Sequence, residues 1–240
     1  MPAYNEEAAI EKTVLDCREK ILNRFSQGEI IVVEDCSTDA TRKILKKLSG
    51  SVPGLGLLLN DRNMGHGPSV IRGLKASQNE YIFCVDSDGQ HDPAEFWRLF
   101  PLIQEAHVVT GIRREREDPG YRKILSWFTN SLARWIFNCP YRDLNVPFKL
   151  FTRPGLEAIL PHIPSSSLIP SILIMLTAHE LGLKLKQVEV THFARTTGKC
   201  SLPGPKLAIF CIKALTELLK FRFETWHTLK GQGLSRNSNG

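Results

Sequence analysis

Short apolar runs rich in β-forming residues alternate with longer helical patterns through the first two thirds of the chain. This alternation is typical of parallel strands joined by crossover helices, because parallel neighbours cannot be connected by a tight turn. It predicts an α/β fold in which helices flank a mostly parallel sheet. The expected strands are 29–33, 55–59, 81–85 and 107–111, and the expected helices are 6–24, 38–48, 67–76 and 93–104.

The beginning of the chain departs from this pattern. A helical pattern starts within a few residues of Met1, and no strand precedes the stretch "PAYNEE". Parallel α/β domains usually open on a strand. We therefore expect either a sheet that lacks its first strand or a coding sequence that starts upstream of Met1.

The last third of the chain has a different character. After a charged segment it contains a long helical pattern at 121–137, the stretch "DLNVPFKLF", a second helical pattern at 168–181 and the strand-like "KLKQVEVTHF". Apolar residues recur at helical spacing over 205–223, with lysines among them. Such a helix either covers the core or lies on a membrane surface. We expect a single domain over 1–226 and a disordered tail over 227–240.

Composition excludes several classes of protein. Apolar and charged residues make up 42% and 23% of the chain, which argues against a disordered or fibrous protein. The cysteines form no close pair and no secretory signal is visible, so we expect a cytoplasmic protein with reduced thiols. The net charge of +6 suits an anionic partner, without any motif for nucleic acid. The longest apolar runs fall short of the roughly 20 residues of a spanning helix, so any membrane contact is expected to be peripheral.

Four polar clusters fall where predicted strands end. They are "PAYNEE", "VVEDCSTDAT", "VDSDGQHDP" and "THFARTTGKCS". Open α/β sheets bind ligands outside the carboxyl ends of their strands. The convergence of four clusters on one sheet edge therefore indicates a binding site more strongly than any one of them.

The cluster "VDSDGQHDP" places two carboxylates at one strand end. Taken alone, Asp86 and Asp88 fit a polar turn and a cation site equally well. Mg²⁺ is commonly held by one or two carboxylates together with substrate phosphates, and a bound cation neutralises a diphosphate leaving group. The neighbouring clusters favour the cation. We expect Gln90 and Asp92 to support the site and assign no role to His91.

Two further stretches allow alternative interpretations. In "EDCSTDAT", Ser37 or Thr38 fits a helix cap, whereas Asp35 at the strand tip fits a hydrogen-bond acceptor for a nucleobase. The stretch "NMGHGPSVIRGLKAS" has two glycines before a helix but lacks the P-loop pattern. We interpret it as a turn that passes close to a nucleotide, and Arg72 as a solvated helix residue.

Basic residues follow the later strands and loops. Each of them alone is typical of a surface charge, but a polyanionic substrate beside a metal site requires cationic groups as well. The residues that we expect to form this set are Arg113, Arg122, Arg195 and Lys199.

Six stretches, namely "PAYNEE", "VVEDCSTDAT", "NMGHGPSVIRGL", "VDSDGQHDP", "DLNVPFKLF" and "HFARTTGKCSL", resemble glycosyltransferase family 2 in this order. The likeness is greatest to the dolichol-phosphate mannose synthase-like, or polyprenyl-phosphate glycosyltransferase, branch, and it runs over 2–223. It implies a GT-A fold and inverting transfer of a sugar from a nucleotide-sugar donor, a GDP- or UDP-sugar. No Gln-x-x-Arg-Trp is present, which argues against a processive polysaccharide synthase.

The resemblance also implies roles by motif position. The residues that would line the nucleoside are Pro2, Tyr4, Glu6, Val33 and Asp35. Asp86 and Asp88 would hold Mg²⁺ or Mn²⁺ on the diphosphate. The groups that would approach the sugar or the phosphates of donor and acceptor are Gln90, Arg113, Arg122, Arg195 and Lys199. The chain departs from the family in reading "EDCS" for Asp-Asp-Gly-Ser and "GKCS" for Gly-Lys-Ser-Lys.

The nature of the acceptor stays open between alternatives. A polyprenyl phosphate is already ionised and needs no strong base, so positioning and charge neutralisation would suffice. A sugar or protein hydroxyl would require a base, for which Asp92 and Asp143 are the first candidates. A third hypothesis is a non-catalytic module that binds nucleotide sugars. It is based on Cys36 and Ser201, which lie where the chain departs from the family's motifs.

Overall fold

A computed structural model describes residues 1–114, 120–194 and 205–231, with side chains of the two longest helices described over 129–137 and 209–224. The strands are β1 (Pro2–Ala3), β2 (Ile30–Glu34), β3 (Leu55–Leu59), β4 (Tyr81–Cys84), β5 (Val108–Arg113), β6 (Lys149–Thr152) and β7 (Leu185–Val190). The helices are α1 (Ile10–Lys20), α2 (Thr41–Ser49), α3 (His66–Ala76), α4 (Phe96–Leu99), α5 (Gly120–Phe137), α6 (Arg153–Ile159), α7 (Pro170–Glu180) and α8 (Pro205–Gly231).

The strands form two groups. β1, β2 and β3 are parallel neighbours in that order, and the second group has the order β4-β6-β5-β7. In the second group β5 and β7 are parallel, whereas β6 is antiparallel to both of its neighbours. The expected mostly parallel sheet flanked by helices is therefore confirmed, with β6 as an antiparallel strand that the sequence did not predict.

The start of the chain does form a strand. Pro2 and Ala3 pair in parallel with Val33 and Glu34 of β2, and the Met1 ammonium donates to the Ile31 carbonyl at 2.9 Å. The expectation of a sheet without this strand differs from the structure. The strand is not visible in the sequence because two residues are too few to show the alternation of a strand.

Two expected helices differ most from the structure. The first begins at Ile10 instead of residue 6, and a left-handed Asn5 (φ +54°) precedes it. The region 93–104 is divided into a 3₁₀ turn, the short helix α4 and a second 3₁₀ helix. Pro101 lacks the N–H that would continue the α-helical ladder, which is a physical reason for the change after Leu99.

Two apolar clusters form the core on the two sides of the sheet. One centres on α7, whose residues from Pro170 to Ala178 are all buried, and the other lies under α1, α2 and α4. In α8, Ala214, Leu218 and Phe221 are buried in the first cluster. Over the residues described, no helix has both the length and the apolar character needed to cross a membrane.

Candidate active site

The ends of β1, β2 and β4 are tied together by hydrogen bonds. The Asp35 amide donates to the Ala3 carbonyl at 2.9 Å, and the Ser87 hydroxyl donates to the Pro2 carbonyl at 2.7 Å. Ser87 itself is buried between the two aspartates of "DSD". Three of the four polar clusters therefore meet at one edge of the sheet, as expected from parallel topology.

The first two clusters bind each other directly. The Asn5 amide donates to the Ser37 hydroxyl at 3.1 Å, and the Thr38 amide donates to the Asn5 side-chain oxygen at 2.8 Å. Neither Ser37 nor Thr38 caps α2, so the capping interpretation is wrong for both. Cys36, at the position of the family's glycine, has φ +61°, and the loop thus keeps a left-handed conformation without glycine.

Asp35 is 2% exposed, and its carboxylate is held by the loop that follows β3. It accepts hydrogen bonds from the Asn60 side chain at 2.6 Å and from the amides of Met64 and Gly65, each at 2.8 Å. The Asn60 side-chain oxygen accepts a bond from Arg72, so this exposed helix residue also belongs to the network. The network fixes Asp35 at the strand end where a nucleoside was expected.

The other expected nucleoside residues lie around the same strand ends. Tyr4 and Glu6 are half-buried, and the Glu6 amide donates to the Thr41 hydroxyl at 2.8 Å. Pro2 is buried, and Val33 is completely buried. A Cβ on Gly73 of α3 would lie 3.2 Å from a Val33 methyl carbon, so the Val33 side chain packs under α3.

Asp86 and Asp88 lie in the loop after β4, as expected. Asp86 Oδ1 is 3.0 Å from His66 Nε2, and the Gln90 amide donates to Asp88 Oδ1 at 3.1 Å. Burial raises the pKa of the Asp86 carboxyl, but the charge and hydrogen bond of His66 outweigh it, so this pKa lies below its ordinary value. Burial lowers the pKa of His66, and the nearby Asp86 and Asp88 charges raise it to a net value above the ordinary one.

This donor set fits a hard divalent cation. An ionised carboxylate oxygen is the ligand that Mg²⁺ and Mn²⁺ prefer, and two of them commonly suffice when phosphate oxygens and water supply the rest. The low pKa of Asp86 keeps that carboxylate ionised. Within the described part of the chain, no group of three or more His, Cys, Asp or Glu side chains is arranged to hold a metal ion.

The loop after β4 is attached to the end of β7, which carries the fourth cluster. The Gln90 side chain donates to the Phe193 carbonyl at 3.0 Å, and the Phe193 amide donates to the Gln90 carbonyl at 2.9 Å. His91, to which we assigned no role, is 5% exposed and lies 3.1 Å from the Thr191 carbonyl. Burial lowers the pKa of His91 to about 4, so it is a neutral link between the two loops.

Arg113 is the one expected phosphate-binding residue whose side chain is described. Its guanidinium forms a two-point ion pair with Asp143, at 2.8 Å from Nε and 2.6 Å from Nη2, and both side chains are almost buried. Arg122 lies in α5, where side chains at its position are not described. Arg195 and Lys199 lie outside the described residues.

The two carboxylates considered as bases both have cationic partners. Asp143 is bound by Arg113, and Asp92 accepts a bond from the Ala94 amide at 2.9 Å and pairs with Lys20 at 3.1 Å. Asp92 therefore begins the turn before α4. The carboxylates of Asp92 and Asp143 therefore both stabilise the local structure at this edge of the sheet.

Three residues of this region were not expected from the sequence. They are His66 on Asp86, Asn60 on Asp35, and the buried Lys149, which donates to the carbonyls of Leu144 and Val146 beside Asp143. Burial lowers the pKa of Lys149 to about 8. The one signal in the sequence is the position of His66 between the glycines of "GHG". Nothing in the local pattern marks Asn60 or Lys149.

Comparison with known proteins agrees with this geometry. A family model, glycosyl transferase family 2, matches residues 1–161. Undecaprenyl-phosphate 4-deoxy-4-formamido-L-arabinose transferases of Aeromonas hydrophila and Pseudomonas aeruginosa are both 26% identical, over 204 and 196 residues. The matches cover 83% and 80% of this chain and 60% and 57% of those relatives, so the chain spans less than two thirds of their length.

Solved structures show the same fold. Glucosyl-3-phosphoglycerate synthase from Mycobacterium tuberculosis, in complex with uridine diphosphate, has a TM-score of 0.66 and 22% identity over 92% of this chain and 78% of that one. Its complex with Mn²⁺, UDP-glucose and phosphoglyceric acid has the same TM-score and identity, over 92% and 77%. The expected GT-A fold is confirmed. Because the family model matches most of the chain, the protein belongs to glycosyltransferase family 2.

Proposed function

We propose that the chain transfers a sugar from a nucleotide-sugar donor to a polyprenyl phosphate, with inversion and with a divalent cation held by Asp86 and Asp88. The observation that carries the choice of acceptor is the two-point ion pair between Asp143 and Arg113. A carboxylate in a two-point ion pair is a poor proton acceptor. A phosphate monoester, with a second pKa of about 6, is ionised near neutral pH and needs none.

The proposed roles of the chain's residues are positioning and charge neutralisation. Asp35 and its network would fix the nucleoside, with Pro2, Tyr4 and Glu6 around it and the buried Val33 supporting this wall from under α3, and Gln90 would approach the sugar. A bound Mg²⁺ or Mn²⁺ would neutralise the charge that develops on the departing diphosphate. Arg113, Arg122, Arg195 and Lys199 would take phosphate oxygens. Arg113, with Nε and Nη2 bound to Asp143, would use Nη1.

The names of related proteins support this choice. The curated relatives are named for undecaprenyl phosphate as acceptor, and the solved structures hold UDP or UDP-glucose with Mn²⁺. The donor proposed for this chain is therefore a UDP- or GDP-sugar, with UDP-sugars tested first.

Acceptor chemistry can be tested directly. The purified chain with Mn²⁺ and a panel of UDP- and GDP-sugars is offered either polyprenyl phosphate or the polyprenol of the same length. We expect transfer to the phosphate to be at least about 100-fold faster, since a hydroxyl requires base catalysis of that size. Equal or faster transfer to the alcohol would favour the hydroxyl-acceptor hypothesis. Metal-dependent binding of a nucleotide sugar without turnover on either acceptor would favour a binding module.

An exposed apolar face on α8 supports contact with a membrane surface. Ile212, Leu219 and Phe223 are 67%, 51% and 67% exposed and recur at helical spacing on the side opposite the core. The exposed Lys213 and Lys220 lie beside them. Apolar groups flanked by lysines match the interface between acyl chains and anionic headgroups.

Vesicle binding tests this contact. We expect the chain to sediment with anionic phosphatidylglycerol vesicles, and replacement of both Ile212 and Leu219 by glutamate to reduce the binding constant about tenfold or more, because two apolar anchors are lost. The matched control is Leu15→Glu, at a side chain 44% exposed on α1. An equal reduction of the binding constant in the Ile212/Leu219 double variant and in Leu15→Glu, or no reduction in either variant, would contradict the contact.

A further inference from the structure

The loop before α3 joins the two acidic parts of the site. The amides of Met64 and Gly65 bind the Asp35 carboxylate, and the next residue, His66, places Nε2 3.0 Å from Asp86 Oδ1. Three successive residues thus reach from the proposed nucleoside side to the proposed metal side. A nucleoside diphosphate that spans Asp35 and Asp86 would pass over this loop.

The backbone at His66 is fixed, whereas its side chain is accessible. A Cβ on Gly67 would lie 1.9 Å from the Ser167 carbonyl oxygen, so the first turn of α3 packs directly on the segment before α7. The His66 side chain is 54% exposed, and that of Asp86 is 25% exposed. The imidazole can therefore change its partner by rotating, without movement of the helix.

Cation binding would change what Asp86 offers to His66. A cation on the carboxylate withdraws electron density from its oxygens and repels the positive end of an N–H dipole. The same cation brings diphosphate oxygens to this place, and these are strong acceptors. The contact between His66 and Asp86 is therefore weakened at the position where a diphosphate oxygen arrives as a new acceptor.

We propose that His66 is a donor-binding residue that exchanges partners: its imidazole binds Asp86 when the site is empty and a diphosphate oxygen when a cation and nucleotide are bound. This inference rests on the proposed function and adds a residue to it. It gives His66 two opposed effects, because the residue competes with the cation for Asp86 and assists the nucleotide.

The two effects are separable by binding measurements on His66→Ala. We expect Mn²⁺ alone, followed by electron paramagnetic resonance, to bind about threefold tighter, since its competitor is absent. We expect UDP or GDP, measured by calorimetry at saturating Mn²⁺, to bind about tenfold weaker, the size of one lost hydrogen bond to a charged group. His66→Gln keeps a side-chain N–H and should recover much of the nucleotide affinity. The matched control is His162→Ala, at an exposed histidine in the 3₁₀ turn after α6.

The outcomes separate this inference from the function on which it rests. Unchanged binding of both ligands in His66→Ala, or a loss of the same factor for both, overturns the exchange and leaves the proposed function intact. A wild-type chain that binds neither UDP nor GDP in the presence of Mn²⁺ overturns both. A folding defect is recognised by thermal unfolding, and His66→Phe, which keeps a ring without an N–H, then decides the matter by whether it shows the opposed pattern.

Discussion

Replacement of Asp88 by alanine is expected to lower the turnover of sugar transfer by about a thousandfold, because the charge on the departing diphosphate would lose its cation. Asp88 follows the buried Ser87, and its Oδ1 also accepts the Gln90 amide at 3.1 Å, so the alanine variant loses one loop contact besides the carboxylate. Turnover is measured with nucleotide sugar, Mn²⁺ and polyprenyl phosphate.

Asp88→Asn is the matched control for that loop contact. Asparagine keeps an oxygen for the Gln90 amide but removes the charge. We expect it to lose activity and Mn²⁺ binding about as severely as Asp88→Ala while its thermal unfolding stays that of the wild type. Full activity in either variant would refute the assignment of Asp88 to the metal.

Replacement of Asp143 by asparagine is expected to lower the free energy of unfolding by about 3 kcal/mol, because it leaves the guanidinium of Arg113 almost buried without its counter-charge. The Arg113 side chain is 8% exposed and that of Asp143 is 11% exposed. Asparagine has the same shape and tolerates the left-handed backbone at this position (φ +43°), so the effect reports the charge. Urea denaturation measures it.

The matched control is Asp16→Asn in α1. Asp16 also pairs with lysines, Lys12 and Lys20, but the Lys12 side chain is 79% exposed. Exposed pairs contribute less than about 1 kcal/mol. If Asp143→Asn lowers the free energy of unfolding no more than Asp16→Asn does, the Arg113–Asp143 pair does not stabilise the fold as its geometry indicates.

The features that the sequence predicted correctly are those encoded in long local patterns. β3 was predicted with its observed bounds, and α3 and α7 within two residues, because each is an apolar run or an apolar face bounded by glycine, proline or polar residues. The meeting of three clusters followed from parallel topology, since carboxyl ends of parallel strands share one edge. The residue roles rest on the resemblance to the family's motifs and stay predictions.

The features that were missed depend on contacts between distant parts of the chain. His66 meets Asp86 across 20 positions, and Asp143 meets Arg113 across 30. Asp86, Arg113 and Asp143 were candidates and His66 is marked only by its flanking glycines, but the sequence does not show which of these residues meet. β6 is only four residues long and contains the buried Lys149, whose charge hides the strand pattern. These contacts and this strand pairing depend on the tertiary structure, which local propensity does not determine.

The linkage of the product tests the proposed transfer to a lipid phosphate most directly. Product isolated from a reaction of the purified chain with an α-linked nucleotide sugar, Mn²⁺ and polyprenyl phosphate is analysed by ³¹P and ¹H magnetic resonance. We predict a β-linked sugar joined through C1 to the lipid phosphate, formed by wild type and not by Asp88→Ala. A product with the α configuration, or a sugar attached to a hydroxyl oxygen in place of the phosphate, would contradict this mechanism.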